Sequence, residues 1–241
     1  MTIFTLKMVA FLSMVIDHTG VVFNLSSWFR VVGRLAFPLF VFMLAEGFWH
    51  TKNRVQFLTR LFVFAVISEP IFDMAFAGAA TLWQVNFFAR TNIFYTFFLG
   101  GLAITLWEKL KEYHDGSQMG NALACVVVAP CAVIANELGS DYGAYGVIFV
   151  FCMYLLRHLP KPVTLVGMLG FSLYQFDWVI DWALQHGVDT LAAHHWGFFV
   201  AVMVAVVIVA FYNGRRGPSW KWFFYVAYPA HLAVLVVIRM L

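Results

Sequence analysis

Four side chains stand out because they combine reactive chemistry with an apolar neighbourhood. They are Asp17 and His18 in Met14-Val15-Ile16-Asp17-His18, and Arg30 and Arg34 in Arg30-Val31-Val32-Gly33-Arg34. An imidazole near neutral pH takes and returns a proton, which is what activating an amine or hydroxyl nucleophile requires. A guanidinium grips a carboxylate or phosphate through parallel N–H donors. Ionisable groups inside long apolar runs are costly, which makes them functional candidates. Consecutive residues of a helix do not share a face, so Asp17 is expected to look away from His18, toward the arginines. Arg30 and Arg34 are four apart and share a face, where like charges repel. An anion between them, either Asp17 or a ligand carboxylate or phosphate, would relieve that repulsion. The plain alternatives are a packing histidine at 18 and an interfacial anchor at 30.

Further candidates are spread along the chain. His231 follows Tyr228-Pro229-Ala230 deep in an apolar run, where it could complete a pocket with His18 and Tyr228. Glu46, His50, Arg54 and Arg60 form a polar, mostly basic group, and Asn213-Gly214-Arg215-Arg216-Gly217 reads as a tight basic turn. Both are candidate docking points for a phosphorylated cosubstrate: guanidiniums and exposed backbone amides hold phosphate. Asp141-Tyr142-Gly143 reads first as a helix start with Asp141 at the N-cap, and second as part of a pocket. His194-His195, Asp177 and Asp181 match no metal-ligand spacing, and the three cysteines give no disulfide framework.

These residues need a scaffold, and composition says which. Of 241 residues, 63% are hydrophobic and 11% are charged. A soluble domain carries about 25% charged residues. The expected fold class is all-α, a polytopic helical membrane bundle forming one domain over residues 1–241. Its apolar runs approach the roughly 20 residues needed to cross a bilayer. They do not alternate as barrel strands would. Nine spans are expected, with eight to ten as the range: 3–25, 29–49 (interrupted by Pro38), 55–76, 91–109, 121–138, 144–156, 163–184, 196–212 and 222–240. The first is read as a retained helix, because it lacks a small-residue cleavage site and carries Asp17-His18. Lys and Arg concentrate after the even-numbered spans, so the positive-inside rule places the N-terminus and those connections in the cytoplasm. On that topology His18 sits slightly outward of the midpoint of its helix. The net charge of +3 reflects topology, not a nucleic-acid partner.

Several stretches resemble the TraX family of membrane proteins. They are residues 14–18, 30–40 (RVVGRLAFPLF), 45–53 (AEGFWHTKN), Arg60-Leu61, 67–73 (ISEPIFD), Asp141-Tyr142-Gly143 with Gly146, 212–217 (YNGRRG) and 223–232 (FFYVAYPAHL). The resemblance implies a multi-pass acetyltransferase of the bacterial inner membrane, whose family type acetylates the amino terminus of a conjugative pilin. It also implies acetyl-CoA as cosubstrate and a pilin or other envelope amine or hydroxyl as acceptor. Use of an early-helix histidine is similar, more distantly, to other membrane acyltransferases supplied from cytoplasmic coenzyme A. On this expectation His18 is the base or a transient acyl carrier, with Asp17 and Arg34 positioning the site or stabilising the oxyanion. The coenzyme phosphates meet His50, Arg54, Arg60 or Arg215-Arg216, and Arg30, Glu46, Asp141, Tyr142, Tyr228 and His231 line the acceptor pocket. A proton-coupled transporter is the rival class, but the inverted repeats and paired broken helices it predicts are not seen in the sequence. A purely structural pilus-assembly protein is the third reading, and it has no need of His18 and Arg34 inside the bilayer.

Overall fold

The computed structural model describes residues 1–77, 84, 90–113, 122 and 125–241. The described chain is helical, with one isolated bridge between Thr91 and Ser140. It divides into two compact units, Met1–Met43 with Leu156–Leu241, and Leu44–Leu155.

The first unit opens with α1, Ile3–Val22, which starts at Thr2, whose hydroxyl accepts from the Thr5 N–H at 3.2 Å. The expected run to residue 25 is cut short, because Asn24 turns the chain with a φ of 50°. His18 is therefore four residues from the helix end, about 6 Å along the axis, and not near its midpoint. The second expected helix is divided into α2, Trp28–Gly33, and α3, Ala36–His50, which runs on into the second unit. The break falls before Pro38. A proline at 38 cannot donate to the carbonyl of residue 34, so the helix yields there.

The unit continues with α8, Lys161–Tyr174, α9, Asp177–His186, α10, Ala193–Ala210, and α11, Lys221–Met240. The single span expected over 163–184 is bent by 57° between α8 and α9. Gln175 donates to the Ser172 carbonyl at 2.7 Å at the end of α8. Asp177, a poor residue for mid-span, supplies the first-turn acid of α9. Phe176 packs at the bend against Val179, Phe198 and Val202.

The beginnings of α1 and α11 lie together. Ile3 and Phe4 donate to the carbonyls of Arg215 and Arg216 at 3.0 and 3.1 Å. Along the two helices Phe4 then meets Phe224, and both Phe11 and His18 meet His231. The first and last helices thus run parallel.

The second unit holds α4, Arg54–Phe72, which passes through Pro70 into a π-helical turn at Asp73–Ala77, and α5, Ile93–Tyr113. Two shorter helices follow, α6, Val128–Glu137, and α7, Gly143–Leu156. Among the described residues, six helices are long and apolar enough to cross a bilayer, or seven if α8 and α9 form one bent span. The nine expected spans are not all of that length, because α6 and α7 fall short of it. The expected start of the fifth span at residue 121 lies outside the described residues. The chain is a multi-pass membrane protein of helical class.

Candidate functional site

The site in the first unit is built on two adjacent residues of α1. Ser13, Asp17 and Gly20 recur at helical spacing and turn one face of α1 toward α2. The Ser13 hydroxyl donates to the Val32 carbonyl at 2.5 Å, tying the two helices together. Asp17 accepts from Arg30 at 2.8 Å, and its other oxygen lies 3.8 Å from Arg34. Gly33 permits this approach: a Cβ there would stand 2.0 Å from the Asp17 Oδ1. The Arg34 guanidinium also lies over the Phe198 ring at 5.7 Å, and its Nε donates to the Arg30 carbonyl at 3.4 Å. Asp17 and both arginines thus form one cluster, as the spacing predicted.

His18 points elsewhere, to α11. Its Nδ1 is 2.8 Å from the Nε2 of His231, and the Nδ1 of His231 is 3.0 Å from the Ala227 carbonyl. The tautomers follow from the partners. A carbonyl only accepts, so His231 carries its proton on Nδ1. In the neutral ring its Nε2 is then an acceptor, and His18 donates from Nδ1. That leaves the lone pair of His18 on Nε2. The arrangement uses the logic of a nucleophile–base–orienter chain, in which a second group fixes the tautomer and direction of the base. Tyr228 borders both rings, its own ring 6.3 Å from that of His18 and 5.6 Å from that of His231, and it is buried. Pro229, two residues before His231, removes one backbone donor from this turn of α11.

Other sequence candidates fall into separate places. The Arg215-Arg216 turn exposes both guanidiniums, and Arg216 donates to Ser219 at 3.1 Å. Its backbone carbonyls, more than its amides, are in use, since they receive the first N–H groups of α1. In the second unit Arg54 is ion-paired with Glu108 and donates to the Tyr154 hydroxyl, which in turn donates to Glu108. That carboxylate compensates the Arg54 charge. His50 lies 3.4 Å from Glu46 one turn away, and Arg60 covers the Phe57 ring at 5.7 Å. Asp141 uses its backbone to join elements: its N–H donates to Thr91 at 2.9 Å and its carbonyl accepts from the Thr96 hydroxyl. The N-terminus of α7 is capped instead by Asn136, whose carboxamide accepts from Ala144 at 2.8 Å. Tyr142 takes a positive φ of 65° just before that helix.

Sequence reasoning passed over one polar centre. Glu69, fully buried in α4, accepts from the backbone N–H of Asn92 at 3.1 Å and from its side chain at 2.5 Å. Asn92 also donates to the Ala65 carbonyl at 2.8 Å, and its own oxygen accepts from Phe94 at 3.0 Å to start α5. Glu69 was visible as an acid inside an apolar run. Nothing in the sequence marked Asn92, 23 residues on, as its partner.

A helical multi-pass membrane protein with a half-buried histidine pair beside a carboxylate–guanidinium cluster is the class these observations define. The chain belongs to the TraX family, which it matches over residues 3–239 under the description TraX protein. It is 28% identical to a protein of Dichelobacter nodosus described as probable fimbrial assembly protein FimC, serogroup H1, over 98% of this chain and 95% of that one. It is 26% identical to Protein TraX of Escherichia coli, over 98% of this chain and 86% of that one. No solved structure matches it.

Proposed function

We propose that this protein is an acyl-CoA-dependent acetyltransferase of the bacterial inner membrane, acting on an envelope amine or hydroxyl. The observation that carries the reading is the relay Ala227 carbonyl–His231–His18, which fixes the orientation and tautomer of a membrane-embedded histidine. In the reaction, the Nε2 of His18 takes the proton of the acceptor amine or hydroxyl as that group attacks the thioester carbonyl. The carbon–sulfur bond then breaks, and the departing thiolate recovers the proton from His18. Arg34, held by Asp17, positions the site. Asp17 holds both arginines and takes no proton.

The N-terminus lies in the cytoplasm, which puts the exposed Arg215-Arg216 turn on the coenzyme side. His18 is about 22 Å along α1 from that turn, so the acyl group must travel most of the way across the bilayer. Arg54 is a poor phosphate contact, because Glu108 already compensates it.

The acceptor fits a pilin or pilus component, given a relative described as a fimbrial assembly protein. The same description supports a second reading, a pilus-assembly partner without catalysis. Purified protein in detergent with labelled acetyl-CoA separates the two. Transfer or coenzyme hydrolysis abolished in His18→Ala supports the enzyme. Activity unchanged in His18→Ala removes His18 from the mechanism, and no turnover under any condition favours the assembly role.

A further inference from the structure

We infer that Arg30 and Arg34 receive an anionic group of the acceptor, a carboxylate or phosphate carried close to the amine or hydroxyl that takes the acetyl group. The inference rests on the acetyltransferase reading and names the substrate class of that same site. Its basis is a charge imbalance at membrane depth. Two guanidiniums share the single carboxylate of Asp17, so the cluster keeps one positive charge. Among the described residues neither arginine makes another ion pair.

The donors are also under-used. Among the described residues one Arg30 N–H reaches Asp17, and the Arg34 Nε makes a long hydrogen bond of 3.4 Å to a backbone carbonyl. The Arg34 terminal nitrogen sits 3.8 Å from Asp17, beyond hydrogen-bond length. Arg34 is mostly buried, at 16% side-chain exposure, and Arg30 at 42% gives the cluster an open side. A net charge with forked donors that one carboxylate does not saturate, in an apolar setting, is a receptor for an oxyanion.

The identity of the anion follows from position. The Arg30 charge acts on the His18 ring, so an acceptor whose nucleophile meets His18 has the arginine cluster close by. The coenzyme's phosphates enter at the far end of α1, about 22 Å away. Its thioester, the part that reaches His18, is neutral. The anion therefore belongs to the acceptor, and acceptors lacking one are poor.

The test uses the full chain in neutral detergent and two amphiphilic amines of equal chain length, 2-aminododecanoate and dodecylamine. Equilibrium binding is measured without coenzyme, and acetyl transfer with labelled acetyl-CoA. The wild type is expected to favour 2-aminododecanoate by about tenfold in both readouts, as a charge-assisted forked contact would give. Arg34→Gln should lose most of that preference while still binding dodecylamine, and Arg34→Lys should restore only part of it. Equal binding and transfer of the two amines by the wild type overturns the inference and leaves the acetyltransferase standing. Preference in binding with no transfer to either amine overturns the acetyltransferase and keeps the anion site. If Arg34→Gln raises KM for acetyl-CoA but not for S-acetylpantetheine, the site belongs to coenzyme phosphate and the inference falls. A preference that survives in the double variant Arg30→Gln, Arg34→Gln overturns it as well.

Discussion

Replacing His231 by Phe tests the relay more sharply than replacing His18. Phenylalanine keeps an aromatic ring next to Phe11 and Tyr228 but removes both nitrogens. Two hydrogen bonds go, the 2.8 Å contact with His18 and the 3.0 Å contact with the Ala227 carbonyl. The second costs little, since a helix carbonyl in α11 keeps its backbone partner. The first leaves the His18 N–H without an acceptor, at about 1–3 kcal/mol for an unsatisfied buried donor. It also frees His18 to rotate or to place its proton on Nε2, where it cannot act as base. Expressed on the transition state, about 1–3 kcal/mol is roughly a 5- to 150-fold fall in kcat/KM. The fall should be in kcat, with KM for acetyl-CoA nearly unchanged, because His231 meets the base and not the coenzyme. His231→Gln should recover part of the loss, since its side-chain oxygen can accept from His18. The assay is initial-rate transfer of labelled acetyl at saturating coenzyme, with a thermal melt of each variant to show that it is folded. A folded His231→Phe protein as fast as the wild type, alongside an inactive His18→Ala, would refute the relay while leaving His18 catalytic.

Other expectations follow from single contacts. Gly33→Ala puts a Cβ 2.0 Å from the Asp17 Oδ1, so Asp17 or α2 must move, at about 1–3 kcal/mol of overpacking, seen as a lowered Tm in detergent and reduced transfer. Asn92→Ala removes the donors to Glu69 and to the Ala65 carbonyl and should destabilise by about 2–5 kcal/mol, whereas Glu69→Gln should cost less. Arg54→Ala leaves Glu108 unpaired and should lower Tm; a raised KM for acetyl-CoA with unchanged Tm would return Arg54 to the coenzyme site. Because α1 and α11 run parallel, reporter tags fused before Met1 and after Leu241 should respond from opposite faces of the membrane, and same-side signals would refute that the two helices cross it in the same direction.

What the sequence disclosed depended on whether a local rule applied. The membrane class came from composition, and the division between Asp17 and His18 came from helical geometry alone. The partnership of His18 with His231 was a guess about two polar residues in apolar runs, and the fold brings them to hydrogen-bond distance across 213 positions. The long-range partners of Arg54 and Asn92 were not legible. Glu108 and Asn92 sit near helix ends, where polar residues are ordinary, so nothing distinguished a partner from a surface group. Span lengths were misjudged for a related reason. Hydropathy runs on smoothly through Asn24 and through Gln175–Phe176, but a positive φ and a 57° bend interrupt the helices there.

The adjacency of an acid and a histidine in α1 has a physical logic beyond pairing. Neighbouring residues of a helix project about 100° apart, so one turn of α1 serves two helices. Asp17 meets α2, where it binds the arginines, and His18 meets α11, where His231 sets its tautomer. Had the acid been four residues away on the histidine's own face, it could have paired with an imidazolium and held the base protonated. Placing it one residue away spends its charge on guanidiniums and leaves His18 to a neutral partner. Here the orienter is an uncharged ring, which fixes the proton on Nδ1 without stabilising a second one. Moving the charge onto the histidine's partner tests it. In His231→Glu the carboxylate should favour imidazolium at His18, so transfer at neutral pH should fall below that of His231→Gln and recover as pH is raised. Equal rates for the two variants across about pH 5.5–9, a window one unit beyond the ordinary imidazole and α-amino values, would mean that the neutrality of the partner is immaterial.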